Sequence, residues 1–287
     1  MSAHKPKALD GSFMLAFGTG STWRKEDPEA LNTGLIEIVK GALQLGYRHL
    51  DTAELYNTER EVGEAIKQSG VQVSEIYITG KVFTMSDVQG AFDRTLQRLG
   101  VDYVDLYLLH YPYFAKSHAD LQRAWAELET IYDSGKVGAI GVSNFTEDHI
   151  KAILETARIR PACNQIELNP YLQRTQLQQY HKKQGIQTFA FSPLSPIVRA
   201  SPGPLDDDLE SITKKHGIST AVALIRWALQ QGIAVVTTST DKARMKDHLL
   251  ALDVSLPEEE VALISRVGAE KHFRGRWKDK FAPDDRS

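Results

Sequence analysis

Short apolar segments alternate with helical segments along most of the chain, and this alternation restricts the fold more than any other feature. The intervening segments repeat apolar residues at the period of a helix, as Val88, Phe92 and Leu99 do. Such alternation is typical of a parallel sheet built from βα units. Eight units in 287 residues favour a closed (β/α)8 TIM barrel over a six-stranded open sheet. The runs of strand length are 13–17, 47–51, 76–81, 104–110, 139–142, 162–166, 188–191 and 234–236.

Two segments extend this pattern. Asp10-Gly11 predicts the two-residue turn of an N-terminal β-hairpin, which we expect to plug the bottom of the barrel. The proline-rich stretch 192–204 predicts a loop, and it precedes two helical segments, 205–216 and 220–231, so the seventh crossover carries an extra helix. Because the chain shows no linker, composition break or low-complexity tract, we expect residues 1–287 to form a single domain.

Charge and cysteine content exclude several classes of protein. The formal net charge of −3 provides no overall positive field to hold nucleic acid or an anionic membrane. The single cysteine, Cys163, excludes an intramolecular disulfide framework and a thiolate zinc cluster. Residues 1–10 lack an apolar stretch long enough for a signal peptide, and no run of about 18 uncharged apolar residues occurs. We therefore expect a cytoplasmic protein.

Four polar residues lie where the predicted strands end, which is where a βα barrel forms its active site. Asp51 and Tyr56 follow the second strand, Lys81 ends the third and His110 ends the fourth. The Lys81 cation should lower the pKa of the Tyr56 phenol, and Asp51 should keep that lysine charged. A neutral His110 could orient a carbonyl oxygen. Each residue alone also fits a structural role, but together they suit protonation of an oxygen as a hydride reaches its carbon.

Several motifs around these residues resemble the aldo-keto reductase family, in order and with its spacing, from about residue 13 to about residue 250. The resemblance implies NADPH-dependent reduction of a carbonyl on a (β/α)8 barrel. By position, Tyr56 is then the proton donor, Lys81 and Asp51 tune it, and His110 orients the substrate. The motifs are YRHLDTAELY at 47–56 with EVG at 61–63, ITGK at 78–81, LYLLH at 106–110, KVGAIGVSNF at 136–145 and NQIELNPY at 164–171.

The resemblance also implies which residues bind the cofactor. Ser143, Asn144 and Gln165 would hydrogen-bond the nicotinamide carboxamide, which suits the donors and acceptors of their side chains. Phe191 stands where the family usually has a stacking tyrosine, and it keeps the aromatic face. Ser192 and Leu194 would flank the pyrophosphate.

The region expected to bind the adenosine 2′-phosphate departs from the family pattern. Thr238 stands where the family usually has a lysine. Ser239 and Arg244 remain, and an arginine can grip a phosphate with two hydrogen bonds, so we favour NADPH. Lys242 and Lys246 add local positive charge, although these residues also fit a solvated helix face.

The stretches GTGSTW at 18–23 and TTS at 237–239 resemble a fungal branch of the family that reduces α-keto amides and conjugated dicarbonyls. Residues 251–287 show little of the long substrate-covering loop of animal members. The expected substrate rim is aromatic and consists of Trp23, Tyr111, Tyr113, Phe114 and Trp277. These side chains fit a packing role equally well, but as a rim they suit a small electrophilic ketone better than a sugar.

Three alternatives remain at this point. Tyr77 and Lys81 have the YxxxK spacing of short-chain dehydrogenases, but that pair works on a helix and here falls on a predicted strand. A second alternative is a catalytically silent NADPH-binding regulatory barrel. The third, a metal hydrolase, lacks H-x-H and HExxH pairs, and Asp206–Asp208 fits a helix N-terminus better, so we expect no metal. By analogy with the family we expect a monomer.

Overall fold

Eight parallel strands close into a barrel in the computed structural model, which describes residues 5–287. Each strand pairs with the next one along the chain, and the first pairs with the last. Each predicted run overlaps one strand, so the predicted eight-stranded barrel is confirmed. The strands are β1 (Leu15–Gly18), β2 (His49–Asp51), β3 (Tyr77–Val82), β4 (Val104–Leu109), β5 (Val137–Ser143), β6 (Cys163–Glu167), β7 (Gln187–Phe191) and β8 (Ala234–Thr237).

Helices follow the strands and cover the outside of the barrel. Between β7 and β8 lie a one-turn helix and two longer helices, which confirms the extra helix predicted for that crossover. The helices are α1 (Thr33–Leu45), α2 (Glu59–Ser69), α3 (Val88–Leu99), α4 (His118–Asp133), α5 (Glu147–Leu154), α6 (Thr175–Gln184), α7 (Ser195–Val198), α8 (Asp206–His216), α9 (Thr220–Gln230), α10 (Lys242–Leu249) and α11 (Glu258–Gly268). Within the predicted loop 192–204, α7 forms because a proline is tolerated in the first turn of a helix.

The strands are buried on both faces because each face meets a different part of the core. Every residue of β4 is buried. Leu106 and Leu108 belong to the cluster inside the barrel, together with Cys163 and Phe189. Tyr107 and Leu109 belong to the larger cluster between the barrel and the helices. This double burial explains the near-continuous hydrophobic runs in the sequence.

The residues before β1 differ from the predicted N-terminal β-hairpin. The chain bends at this point, with Gly11 at φ +84° and the Ser12 amide donating to Asp10 Oδ1 at 2.9 Å. No strand flanks it within residues 5–14, because this segment bonds to the barrel instead: the Lys7 amide donates to Asp105 Oδ1 at 2.7 Å. Phe13 stacks on Tyr77 with 5.0 Å between ring centroids. The segment therefore packs on the barrel interior as expected, without forming a hairpin. Residues 1–4, part of the segment inspected for a signal peptide, lie outside the described residues.

Candidate active site

The predicted catalytic residues lie together at the carboxyl ends of the strands. Asp51 is the last residue of β2, and His110 directly follows β4. Asp51 pairs in register with Thr79, so Lys81 lies two residues further along β3 on the same face of the strand. This register brings Lys81 alongside Asp51 inside the mouth of the barrel.

Asp51 and Lys81 form a buried ion pair. The Lys81 ammonium donates to Asp51 Oδ1 at 2.5 Å and to the backbone oxygen of Thr52 at 3.0 Å. The second carboxylate oxygen, Asp51 Oδ2, accepts from Gln165 Nε2 at 2.8 Å. This last contact, which the sequence did not predict, ties a residue expected to bind the cofactor to the ion pair. Both oxygens of Asp51 are therefore held, and the lysine is fixed in place.

Tyr56 lies against this pair and against His110. It ends a 3-10 turn, Glu54–Tyr56, after which Asn57 takes the left-handed conformation at φ 55°. Its hydroxyl oxygen lies 3.4 Å from His110 Nε2, and Lys81 Nζ lies 5.1 Å from the centroid of its ring. A Cβ atom on Gly20 would lie only 2.7 Å from Tyr56 Cζ, so a glycine is needed there for the ring to take this position.

The surroundings of these groups determine their charge. Burial raises the pKa of the Tyr56 phenol, and the Lys81 charge opposes this effect without cancelling it. The expectation of a net lowered pKa is therefore wrong: the sequence does not reveal how deeply the ring is buried. Burial also opposes the charge on Lys81, but Asp51 and Tyr56 outweigh it and raise the pKa of the ammonium. Burial, followed by Lys81 and Arg24, holds the pKa of His110 well below its usual value. At neutral pH the site holds a protonated phenol, an ammonium and a neutral imidazole.

The residues expected to bind a carboxamide lie beside this group. Ser143 donates to the Gln165 backbone oxygen at 2.8 Å, and Asn144 Nδ2 donates to the His110 backbone oxygen at 2.8 Å. The side-chain oxygens of Asn144 and Gln165 accept no hydrogen bond from the residues that the structure describes. Two free amide oxygens on the cavity wall fit the two N–H donors of a carboxamide. These side chains therefore suit a nicotinamide.

A cavity of about 770 Å³ joins these residues to a groove that runs towards α10. The wall of the cavity includes the remaining residues expected to bind the cofactor: Phe191, Ser192, Leu194, Thr238, Ser239 and Arg244. The Thr238 hydroxyl accepts from the Trp23 indole nitrogen at 3.2 Å, which links the loops after β1 and β8. Lys242 and Lys246 lie outside this lining.

The expected aromatic rim is only partly present. Trp23 and Trp277 line the cavity, whereas Tyr111, Tyr113 and Phe114 lie outside its lining. The ring of Tyr111 stacks on Trp277 with 5.8 Å between centroids, and that of Tyr113 lies 4.8 Å from it. Tyr111 and Tyr113 therefore support Trp277 from behind rather than facing a substrate. Three residues that were not predicted from the sequence also line the cavity, each next to a predicted one: Arg24, Leu55 and Arg276.

Backbone strain is concentrated around this cavity. Four residues that line it have positive φ angles although they are not glycines: Ser21 at 49°, Asn144 at 65°, Ser192 at 58° and Trp277 at 55°. Such conformations cost on the order of 1–3 kcal/mol each and cluster at functional sites. Their position supports a functional role for this mouth of the barrel.

Tyr77 and Lys81 cannot form the pair of a short-chain dehydrogenase. Tyr77 begins β3 and stacks on Phe13 at the bottom of the barrel, whereas Lys81 lies near the other end of the strand. Within residues 5–287, no group of three or more His, Cys, Asp or Glu side chains is placed to hold a metal ion. None of the helices in this range combines the length and apolarity required to cross a membrane.

Comparison with known proteins agrees with this geometry. The sequence profile of the Aldo/keto reductase family matches residues 14–269. A 9,11-endoperoxide prostaglandin H2 reductase of Trypanosoma cruzi is 38% identical over 91% of this chain and 90% of the relative. An NAD/NADP-dependent indole-3-acetaldehyde reductase of Schizosaccharomyces pombe is 34% identical over 90% of this chain and 93% of the relative. The crystal structure of a Bombyx mori aldo-keto reductase in complex with NADP has a TM-score of 0.80 and 31% identity, covering 88% of each chain. The chain belongs to the aldo/keto reductase family.

Proposed function

We propose that this oxidoreductase uses NADPH to reduce an activated ketone or aldehyde to an alcohol, with Tyr56 as the proton donor. The observation that carries the proposal is the buried group of Asp51, Lys81, Tyr56 and His110. It adjoins the cavity that Ser143, Asn144 and Gln165 also line. A proton donor and a carboxamide site facing one space are what hydride transfer to a carbonyl requires.

Each of these residues has a role in the proposed reaction. NADPH, when bound, supplies the hydride to the carbonyl carbon. The Tyr56 phenol is protonated and donates its proton to the carbonyl oxygen. Lys81, held by Asp51, stabilises the phenolate that this transfer leaves. His110 is neutral and adjoins the Tyr56 hydroxyl, where it orients the carbonyl oxygen.

The test of this function is a turnover screen with both nicotinamides. NADPH oxidation is followed by absorbance with α-keto amides, diketones, aldehydes and sugars, and NADH is run in parallel. Rapid oxidation of NADPH by diketones or keto amides supports a reductase. Tight NADPH binding without turnover of any carbonyl would favour the catalytically silent regulatory barrel instead.

Arg244 is expected to select NADPH over NADH. It lies in α10, at the end of the groove, and its guanidinium can hold a phosphate through two hydrogen bonds. Replacing it with alanine should weaken NADPH binding by about tenfold or more and leave NADH binding nearly unchanged, because a charge-assisted hydrogen bond contributes roughly 1.5–3 kcal/mol. Fluorescence titration of both nicotinamides measures the two dissociation constants.

Lys246→Ala is the matched control for this substitution. It removes an equal charge from an exposed position on the same helix, outside the cavity lining. We expect it to change neither dissociation constant by more than about twofold, as is usual for isolated surface charges. Equal losses of NADPH and NADH affinity in Arg244→Ala would refute the assignment.

A further inference from the structure

Four arginines line the cavity, Arg24, Arg199, Arg244 and Arg276, and none has an acidic partner within ion-pair distance among the described residues. Arg24 and Arg276 line the cavity and are exposed at its rim. Their neighbours are paired: Lys25 contacts Glu61 at 2.6 Å, and Arg274 contacts Asp285 at 3.7 Å. Within residues 5–287, neither Arg24 nor Arg276 lies within ion-pair distance of a carboxylate. Their charges are therefore available to a ligand.

The backbone holds both arginines next to the reactive group. The Lys25 amide donates to the Tyr56 backbone oxygen at 3.1 Å, which fixes the chain directly after Arg24. The amides of Gly275 and Arg276 each donate to the buried Glu167 carboxylate at 2.8 Å. The Arg276 guanidinium also donates to Ser21 Oγ at 3.3 Å, so the carboxyl-terminal segment meets the loop after β1.

The cavity has an excess of positive charge near Arg24 and Arg276. Asp51 is the only acidic side chain in the described lining, and Lys81 already neutralises it. Both arginine charges act on the reactive groups. Arg24 contributes to the lowered pKa of His110, after burial and Lys81. Arg276 opposes the rise in the pKa of Tyr56 that burial causes. An uncompensated positive field beside a reaction centre favours a substrate that brings a negative charge.

We propose that Arg24 and Arg276 form a subsite for the carboxylate of the substrate. The preferred substrates are then oxo acids, in which a carboxylate accompanies the reducible carbonyl. Guanidinium groups match the two oxygens of a carboxylate, whereas a neutral keto amide leaves both charges uncompensated. This inference rests on the proposed carbonyl reduction and narrows its substrate class.

The experiment compares substrates that differ in charge and little in shape. One pair is phenylglyoxylate and phenylglyoxylamide, and the other is para-carboxybenzaldehyde and para-formylbenzamide. At low ionic strength the wild-type enzyme should use at least one acid with a kcat/KM about tenfold above that of its amide. The advantage should appear in KM and shrink with added salt.

The double variant Arg24→Gln/Arg276→Gln should bring this ratio to about one, because it removes the charges that distinguish each acid from its amide. Lys278→Gln removes one charge from the exposed segment after Trp277, outside the lining, and should keep the wild-type ratio. Two results would overturn the subsite alone. One is an equal kcat/KM for each acid and its amide in the wild type, and the other is a preference for the acid that survives in the double variant. An enzyme that reduces a diketone but none of the four compounds would likewise overturn the subsite alone, whereas failure to reduce any carbonyl of the turnover screen would overturn the reductase function and the subsite with it.

Discussion

Replacing Tyr56 with phenylalanine is expected to lower kcat by about a thousandfold or more, while the dissociation constant of NADPH changes by less than about twofold. A positioned general acid contributes about 10²–10⁴ in rate, and this substitution removes the only phenol that lines the described cavity. The ring itself is retained. It still packs against Gly20, where a Cβ atom on residue 20 would clash with the ring.

The affinity for NADPH should persist because the residues expected to bind it are separate. Asn144 and Ser143 hydrogen-bond to one another at 3.0 Å, and neither side chain bonds to the Tyr56 hydroxyl. Single-turnover kinetics with a diketone reports the chemical step, and fluorescence titration reports cofactor binding. The two measurements distinguish a missing proton from a damaged site.

Tyr103→Phe is the matched control for Tyr56→Phe. The Tyr103 hydroxyl is buried without a partner among the described residues, and it precedes β4, at the opposite end of that strand from His110. Its loss should leave kcat within about twofold of the wild type, since no hydrogen bond is broken. A Tyr56→Phe enzyme that keeps more than about a tenth of the wild-type kcat would show that the proton comes from another group.

The barrel and its reactive group could be predicted because both depend on position along the strands. The doubly buried β4 leaves a hydrophobic run that ends where His110 begins. In a closed parallel barrel all strand ends meet at one mouth, so counting to the ends of β2 and β3 is enough to bring Asp51 and Lys81 together.

The direction of individual side chains could not be predicted in the same way. Tyr111 comes directly after His110, yet its ring stacks on Trp277, which lies in a segment without regular structure. The bond from Gln165 to Asp51 joins residues 114 positions apart on strands that are not neighbours. The raised pKa of Tyr56 depends on burial, which the motif that contains it does not reveal. These features arise from packing at the mouth, where loops from different strands meet.

Replacing Lys81 with methionine is expected to damage both stability and catalysis. The substitution leaves the Asp51 carboxylate buried without its partner, which should lower the free energy of unfolding by about 3–5 kcal/mol. It also removes the cation that stabilises the phenolate of Tyr56, so kcat should fall by about 10²–10⁴ in the enzyme that remains folded. Urea unfolding and single-turnover kinetics measure the two effects separately.

The double variant Asp51→Asn/Lys81→Met separates the two roles of the ion pair. With both charges gone, no carboxylate is left buried without a partner, and most of the lost stability should return. The amide oxygen introduced by Asp51→Asn can still accept from Gln165, as Asp51 Oδ2 does at 2.8 Å. Catalysis should not return, because the cation beside Tyr56 is still missing. A double variant that turns over like the wild type would show that the pair serves only the fold.

The pH dependence provides an independent test of the same pair. The Lys81 charge lowers the pKa of Tyr56, and the Asp51 charge raises it by a smaller amount. Loss of Lys81 alone therefore raises the pKa of the phenol most, and loss of both charges raises it less. Since only the protonated phenol donates, the fall of kcat/KM at alkaline pH should move to higher pH in Lys81→Met, and by a smaller amount in the double variant. An alkaline limb that stays in place, or moves to lower pH, would mean that Lys81 does not act on the proton donor.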